Sequence, residues 1–144
     1  MWPDDDYLLR LSRAHYAFQY AEGGVIDALH YATGEGLGVL ETKTPRHLSN
    51  KLKDAWEGDP VLEPLAERYA ELVTDREHLV HSHPATFPDG GTSQQRLHRY
   101  DIDHPTRPKT IMWILPEWLD EFVAKAMAVN RDIQTAIRAD YASH

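Results

Sequence analysis

Arg76 and His81 are the two residues of this sequence whose types and spacing best suit chemistry. A histidine moves protons near neutral pH and a fixed guanidinium holds phosphate charge, so the pair suits metal-free cleavage of a phosphodiester by the RNA 2′-hydroxyl. Arg76 falls on the greasy side of a predicted helix. From Pro60 to His83, apolar side chains recur at Leu62, Leu65, Tyr69, Leu72 and Leu79, flanked by Ala66, Val73 and Val80, a spacing that marks a core-facing stripe. Arg76 takes the next slot after Leu62 and Tyr69, where a guanidinium must snorkel, pair with a carboxylate or face an opening that admits an anion. His81 sits where the helix must stop, because Pro84 biases His83 away from helical torsions. Along an uninterrupted helix five residues turn through about 500°, which sets Arg76 and His81 roughly 140° apart. Their convergence requires the helix to end by His81, or two copies of the segment to meet across a dimer axis.

Neighbouring side chains support or compete with that chemistry. Glu77 precedes His81 by four residues and is placed to orient its ring. Glu22, on the edge of an earlier apolar stripe, is the obvious partner for Arg76. The residues by themselves favour purely structural roles: an Arg76–Glu22 bridge acting as glue, and His81 as a polar helix cap. His78, His81 and His83 form an H-x2-H-x-H cluster, the number of histidines an open zinc site takes. Helical metal ligands usually fall at i and i+4, however, and no second cluster with carboxylates follows. No metal or cofactor is therefore assigned, and His83 is kept as a supporting residue beside His81. Downstream, Arg96 and Arg99 are candidates for RNA binding, with His98, Tyr100, Arg107, Lys109 and Trp113 near them in sequence. Strand alternation puts Arg96, His98 and Tyr100 on one face and Leu97 and Arg99 on the other. Such residues either grip a nucleic-acid strand or form the polar face of an exposed hairpin.

The elements that must position these groups are read from periodicity. Asp4, Asp5 and Asp6 suit a helix start, followed by Leu8, Leu11, Ala14, Phe18, Ala21, Val25, Ala28 and Leu29 at three- and four-residue steps, to about Tyr31 or Ala32. Gly23 and Gly24 weaken that helix, and mark a kink or a close approach of another backbone. Residues Thr33 to Gly38 read as a glycine-rich loop without the Lys-Ser/Thr of a phosphate-binding P-loop. Thr44 and Pro45 open a shorter helix through His47, Leu48, Leu52 and Trp56. Pro84 to Ser93 reads as a loop, and Gln95–Tyr100 and Thr110–Ile114 as two short strands of a hairpin. A final helix begins near Pro116 and carries Trp118, Leu119, Phe122, Val123, Ala126, Val129, Ile133 and Ile137 on one side. The expected fold class is mainly α: one domain over residues 1–144, an up-and-down four-helix bundle with a short β-hairpin inserted before the last helix.

Composition narrows the function classes. The 144 residues suffice for a core without metal or disulfide staples, and the absence of cysteine excludes thiolate chemistry. A formal net charge of −8 argues against a broad nucleic-acid surface while leaving room for a small basic pocket. The sequence Met1 to Asp6 is acidic where a signal peptide is basic, and no apolar run reaches membrane-spanning length, so a cytoplasmic location without membrane contact is expected.

The string Asp75-Arg76-Glu77-His78-Leu79-Val80-His81 resembles the R-x4-6-H signature of the HEPN superfamily. Val80 to Thr86, Gln95-Arg96-Leu97, Trp118-Leu119-Asp120 and Val129-Asn130-Arg131 are together similar to a group of HEPN-like proteins from actinobacteria, a likeness spanning Tyr7 to Ile137. The resemblance implies a four-helix bundle that acts as a homodimer with its two motifs facing each other. It further implies a metal-independent endoribonuclease in which Arg76 clamps phosphate and His81 transfers protons, leaving a cyclic phosphate. It also implies a setting in toxin–antitoxin or defence systems, with an antitoxin or other protein as partner. Many HEPN nucleases carry a small polar residue after the arginine, whereas this chain has Glu77, whose carboxylate repels RNA unless Arg76 or His81 engages it. Other members are silent dimers that bind proteins or nucleotides, which is the alternative function.

Overall fold

The computed structural model describes residues 2–89, 92–100 and 110–143. Within them the chain forms α1 (Asp5–Thr33), α2 (Leu37–Leu40), α3 (Pro45–Trp56), α4 (Leu62–Val80), β1 (His83–Asp89), β2 (Thr92–Tyr100), β3 (Thr110–Ile114) and α5 (Pro116–Ala142). Local sequence explains the helix starts. The Asp4 carboxylate accepts the Tyr7 N–H at 2.8 Å, and the Thr44 hydroxyl accepts that of His47 at 3.2 Å with Pro45 directly after it. Gly34, at φ 76°, ends α1 in a left-handed turn whose N–H returns to the His30 carbonyl.

The expected four-helix, up-and-down bundle with a hairpin is corrected on three counts. Among the described residues there are five helices, because the glycine-rich stretch holds the single turn α2, whose Leu40 is fully buried. The order of directions also differs. Arg10 pairs with Asp120 near one end and Tyr31 bonds Asp140 near the other, so α1 and α5 run parallel. Arg68 meets Asp132 and Lys125 meets Asp75, so α4 runs against both. Tyr31, Ala32, Trp56 and Leu62 line one cleft while Arg46 reaches Glu77, so α3 runs with α1 after the α2 segment has brought the chain back.

The third correction concerns the ribbon, a three-stranded antiparallel sheet in the order β1-β2-β3. The segment expected to be a loop contains β1, paired from His83 opposite His98 to Asp89 opposite Thr92. Pro84 and Pro88 argue against a central strand, but β1 is an edge strand. The two prolines share one parity, so both fit positions that give no hydrogen bond to β2. Residues 101–109, with Arg107 and Lys109, lie outside the described residues.

The core runs between α1, α3, α4 and α5, with Phe18 stacked on both Tyr69 and Phe122 at 6.3 Å. Two contacts fix how α1 sits. The buried Tyr7 hydroxyl donates to the Ile114 carbonyl at 2.6 Å and accepts the Leu97 N–H at 3.0 Å, tying the first turn of α1 to β2 and β3. At Gly24 a Cβ would run into the side-chain amide of Asn130 of α5, so the glycine makes room for that buried side chain against α1.

Candidate functional site

Arg76 follows from the α4 stripe. Leu65, Tyr69, Leu72 and Val73 are buried, and Arg76, one turn further on, is half-buried against α1. Its guanidinium stands over the Phe18 ring at 5.0 Å, a cation–π contact that spends none of its N–H donors. Among the described residues it has no hydrogen bond and no ion pair. The expected Arg76–Glu22 bridge is therefore not formed. Glu22 is half-buried one turn beyond Phe18; burial pushes its carboxyl pKa up, and the positive charge of Arg76 only partly opposes this. The Tyr69 hydroxyl, on the same α4 stripe as Arg76, is buried without a hydrogen-bond partner among the described residues. Burial and the Glu22 charge push that phenol's pKa up, against the pull of Arg76 and Arg46.

The end of α4 places the remaining motif residues. Val80 is its last residue; His81 caps it at φ −92°, ψ 4°, with its N–H donating to the Glu77 carbonyl at 3.0 Å. The imidazole is exposed. The N–H of His81 still closes a helical turn, so its side chain leaves the helix about 140° round from Arg76, and no hydrogen bond joins the two. Glu77 engages neither of them. It accepts Arg46 Nε at 3.1 Å and Nη2 at 3.0 Å, and Arg46 also donates to Thr74. The carboxylate that would repel a phosphate is thus neutralised from α3. No sequence signal pointed to Arg46, because the two elements meet only through the tertiary packing of α3 on α4.

The ribbon arginines separate into two roles. Arg96 is only 6% exposed, lies over the Tyr7 ring at 4.4 Å, and donates to the Asp4 carboxylate and the Gln95 carbonyl, each at 2.9 Å. It is a brace between sheet and helix rather than an exposed RNA contact. Arg99, on the β2 face that also carries Leu97, donates to His78 Nδ1 at 2.6 Å and so brings a guanidinium to the last turns of α4. His78 is thereby engaged, while His83 is exposed on β1. His83 faces His98 across the strands, and His98 stacks on Trp113 at 5.1 Å; burial, then the His83 charge, push the His98 pKa down. Among the described residues no group of three His, Asp or Glu side chains is gathered to hold a metal ion. No helix described here is long and apolar enough to cross a membrane.

Three guanidinium groups, those of Arg46, Arg76 and Arg99, therefore gather on the last two turns of α4 in a chain of net charge −8. Compared with known proteins, the chain matches no family model, no curated protein and no solved structure.

Proposed function

We propose that the protein is a metal-independent endoribonuclease of HEPN type, acting in the cytoplasm as a homodimer within a toxin or defence system. The observation that carries this is the state of Arg76: held over Phe18 with its donors unspent, two turns or less from an exposed His81. In the proposed reaction the RNA 2′-oxygen attacks the adjacent phosphorus and the bond from phosphorus to the 5′-oxygen breaks, leaving a cyclic phosphate. Arg76 holds the charge that builds on the phosphoryl oxygens, and His81 carries the proton taken from the 2′-hydroxyl or given to the 5′-oxygen. The Arg46–Glu77 pair removes the nearest repulsive carboxylate, and Arg99 adds positive charge for the flanking backbone. His83, exposed just beyond His81, is the second imidazole available at this end.

A catalytically silent dimer that binds a partner protein, such as an antitoxin, or a nucleotide is the second candidate. The lack of a hydrogen bond between Arg76 and His81 favours it. Cleavage of a mixed-sequence RNA with a chelator present, by wild type and by His81→Ala, decides between them. Loss of activity in the variant by about 10²-fold or more is expected of a proton-transfer residue. Equal cleavage by both proteins, or abolition by the chelator alone, would overturn the proposal, and no cleavage by either would support the silent dimer.

A further inference from the structure

Three helices end on one cleft. α1 stops at Thr33, α3 at Trp56 and α5 at Ala142, and Tyr31, Ala32, Trp56, Ile137 and Asp140 from their last two turns line the cleft together with Leu62, the first residue of α4. The parallel run of α1, α3 and α5 thus brings the negative ends of their dipoles to one opening. The opposing positive end of α4 is already answered, because the Asp59 carboxylate accepts the N–H groups of Val61 and Leu62 at 2.9 and 3.0 Å. The cleft holds about 390 Å³, and among the described residues no lysine, arginine or histidine lines it. Apart from one carboxylate its walls are aromatic and aliphatic. Tyr31 donates its hydroxyl to Asp140 Oδ2 at 3.2 Å, which keeps the carboxylate beside the ring, and Tyr141 stands against Tyr31 at 5.7 Å. Tyr141 is 70% exposed and Tyr31 40%, large rings that the core does not use. Trp56 adds a third ring from α3, in contact with neither tyrosine ring among the described residues.

We infer that this cleft binds a quaternary ammonium group. Aromatic faces attract a cation through their quadrupole, and Asp140 and the three helix ends add negative potential at the same place. The absence of donors on such a nitrogen decides between cations. A primary ammonium brings three N–H groups and a tightly held water shell, and one carboxylate already bonded by Tyr31 does not satisfy all three. A quaternary nitrogen has no donor to satisfy, and its methyl groups bury against the rings and against Ala32, Leu62 and Ile137. An anion is repelled by every charge around the opening, and a neutral apolar molecule gains nothing from Asp140. The group is the head of a free solute such as choline or the end of a trimethylated lysine. The cleft lies at the far end of α4 from Arg76, about 20 Å along the helix, so the inference does not rest on the proposed catalysis.

Calorimetric titration of the full chain at constant ionic strength is the measurement, with choline and with a short peptide carrying one trimethyllysine. At least one is expected to bind with a dissociation constant of about 1 mM or below, and the tighter of the two names the source. Two counterparts are expected to bind about tenfold more weakly or worse: the uncharged isostere of choline, with a tert-butyl group in place of the trimethylammonium, and the unmethylated peptide. Tyr31→Leu and Asp140→Asn, at positions open to solvent, are each expected to weaken the binding about tenfold or more with little change in thermal midpoint. No binding of either probe, equal binding of the counterparts, or an affinity indifferent to both substitutions would overturn the inference.

Discussion

Arg96 and Arg76 both stand over an aromatic ring, at 4.4 Å from Tyr7 and 5.0 Å from Phe18, yet their surroundings assign them different work. Arg96 is buried, and its charge is answered by Asp4 and by a backbone carbonyl. Arg76 is half-buried, and Glu22, whose own charge burial disfavours, forms no ion pair with it. A guanidinium whose donors are all directed at the protein fixes geometry. One that rests on a ring, with its donors free, is kept in place without being neutralised, which is what an anion site needs.

The widest separation of the two comes from alanine. Arg76→Ala is expected to lower RNA cleavage by about 10²–10³-fold with little change in thermal midpoint, as for loss of a donor to transition-state charge. Arg96→Ala is expected to do the reverse, lowering stability by about 2 kcal/mol, a buried-pair loss discounted because Asp4 is half exposed, and leaving the rate intact where the variant is folded. Denaturant titrations and initial rates on both variants check this, and a collapsed fold in Arg76→Ala would erase the distinction.

A smaller effect sharpens the Arg96 side. Asp4→Ala removes the cap of α1 and the partner of Arg96, and is expected to lower stability by about 1 kcal/mol at pH 7. The Tyr7 N–H first, then Arg96, hold the Asp4 carboxyl below its ordinary value of 3.8. Its contribution is thus fully present above that value and is lost as the pH falls through the lower, folded-state value. The gap between wild type and variant should close in strong acid, and a gap unchanged with pH would contradict the assignment. The smallest effect belongs to the Arg76 side. Glu22 has a folded-state pKa raised above 4.5, so its ionised form burdens the fold at neutral pH and the burden vanishes below that value. Glu22→Gln should raise the thermal midpoint slightly at pH 7 and not at pH 4. A large drop would restore the ion pair that the geometry lacks.

Periodicity located α1, α3, α4 and α5, because each buries one broad stripe and opens on a residue that caps or tolerates a helix start. It overlooked α2, since four residues with one glycine carry no period, and β1, since its prolines are tolerable only at an edge that the sequence does not reveal. Direction was illegible for a related reason: whether α3 runs with or against α1 depends on how residues 34–44 return. In the candidate site, the stripe correctly put Arg76 against the core and Pro84 correctly stopped the helix near His81. The partners of Glu77, His78 and Arg96 lie 31, 21 and 92 residues away, and spacing along one helix cannot choose among such distant charges.

The parallel contact of α1 with α5, in which Gly24 admits Asn130, has a consequence for how the chain is made. Helix α1 is complete at Thr33, but its most extensive neighbour begins only at Pro116. At about 5–20 residues per second of synthesis, the apolar stripe of α1 waits several seconds for its cover. Contacts so distant in sequence also carry a larger loop-closure cost than those of α3 with α4. The nascent protein is therefore most open to misassociation along the very seam that, once filled, sets the register of the whole bundle.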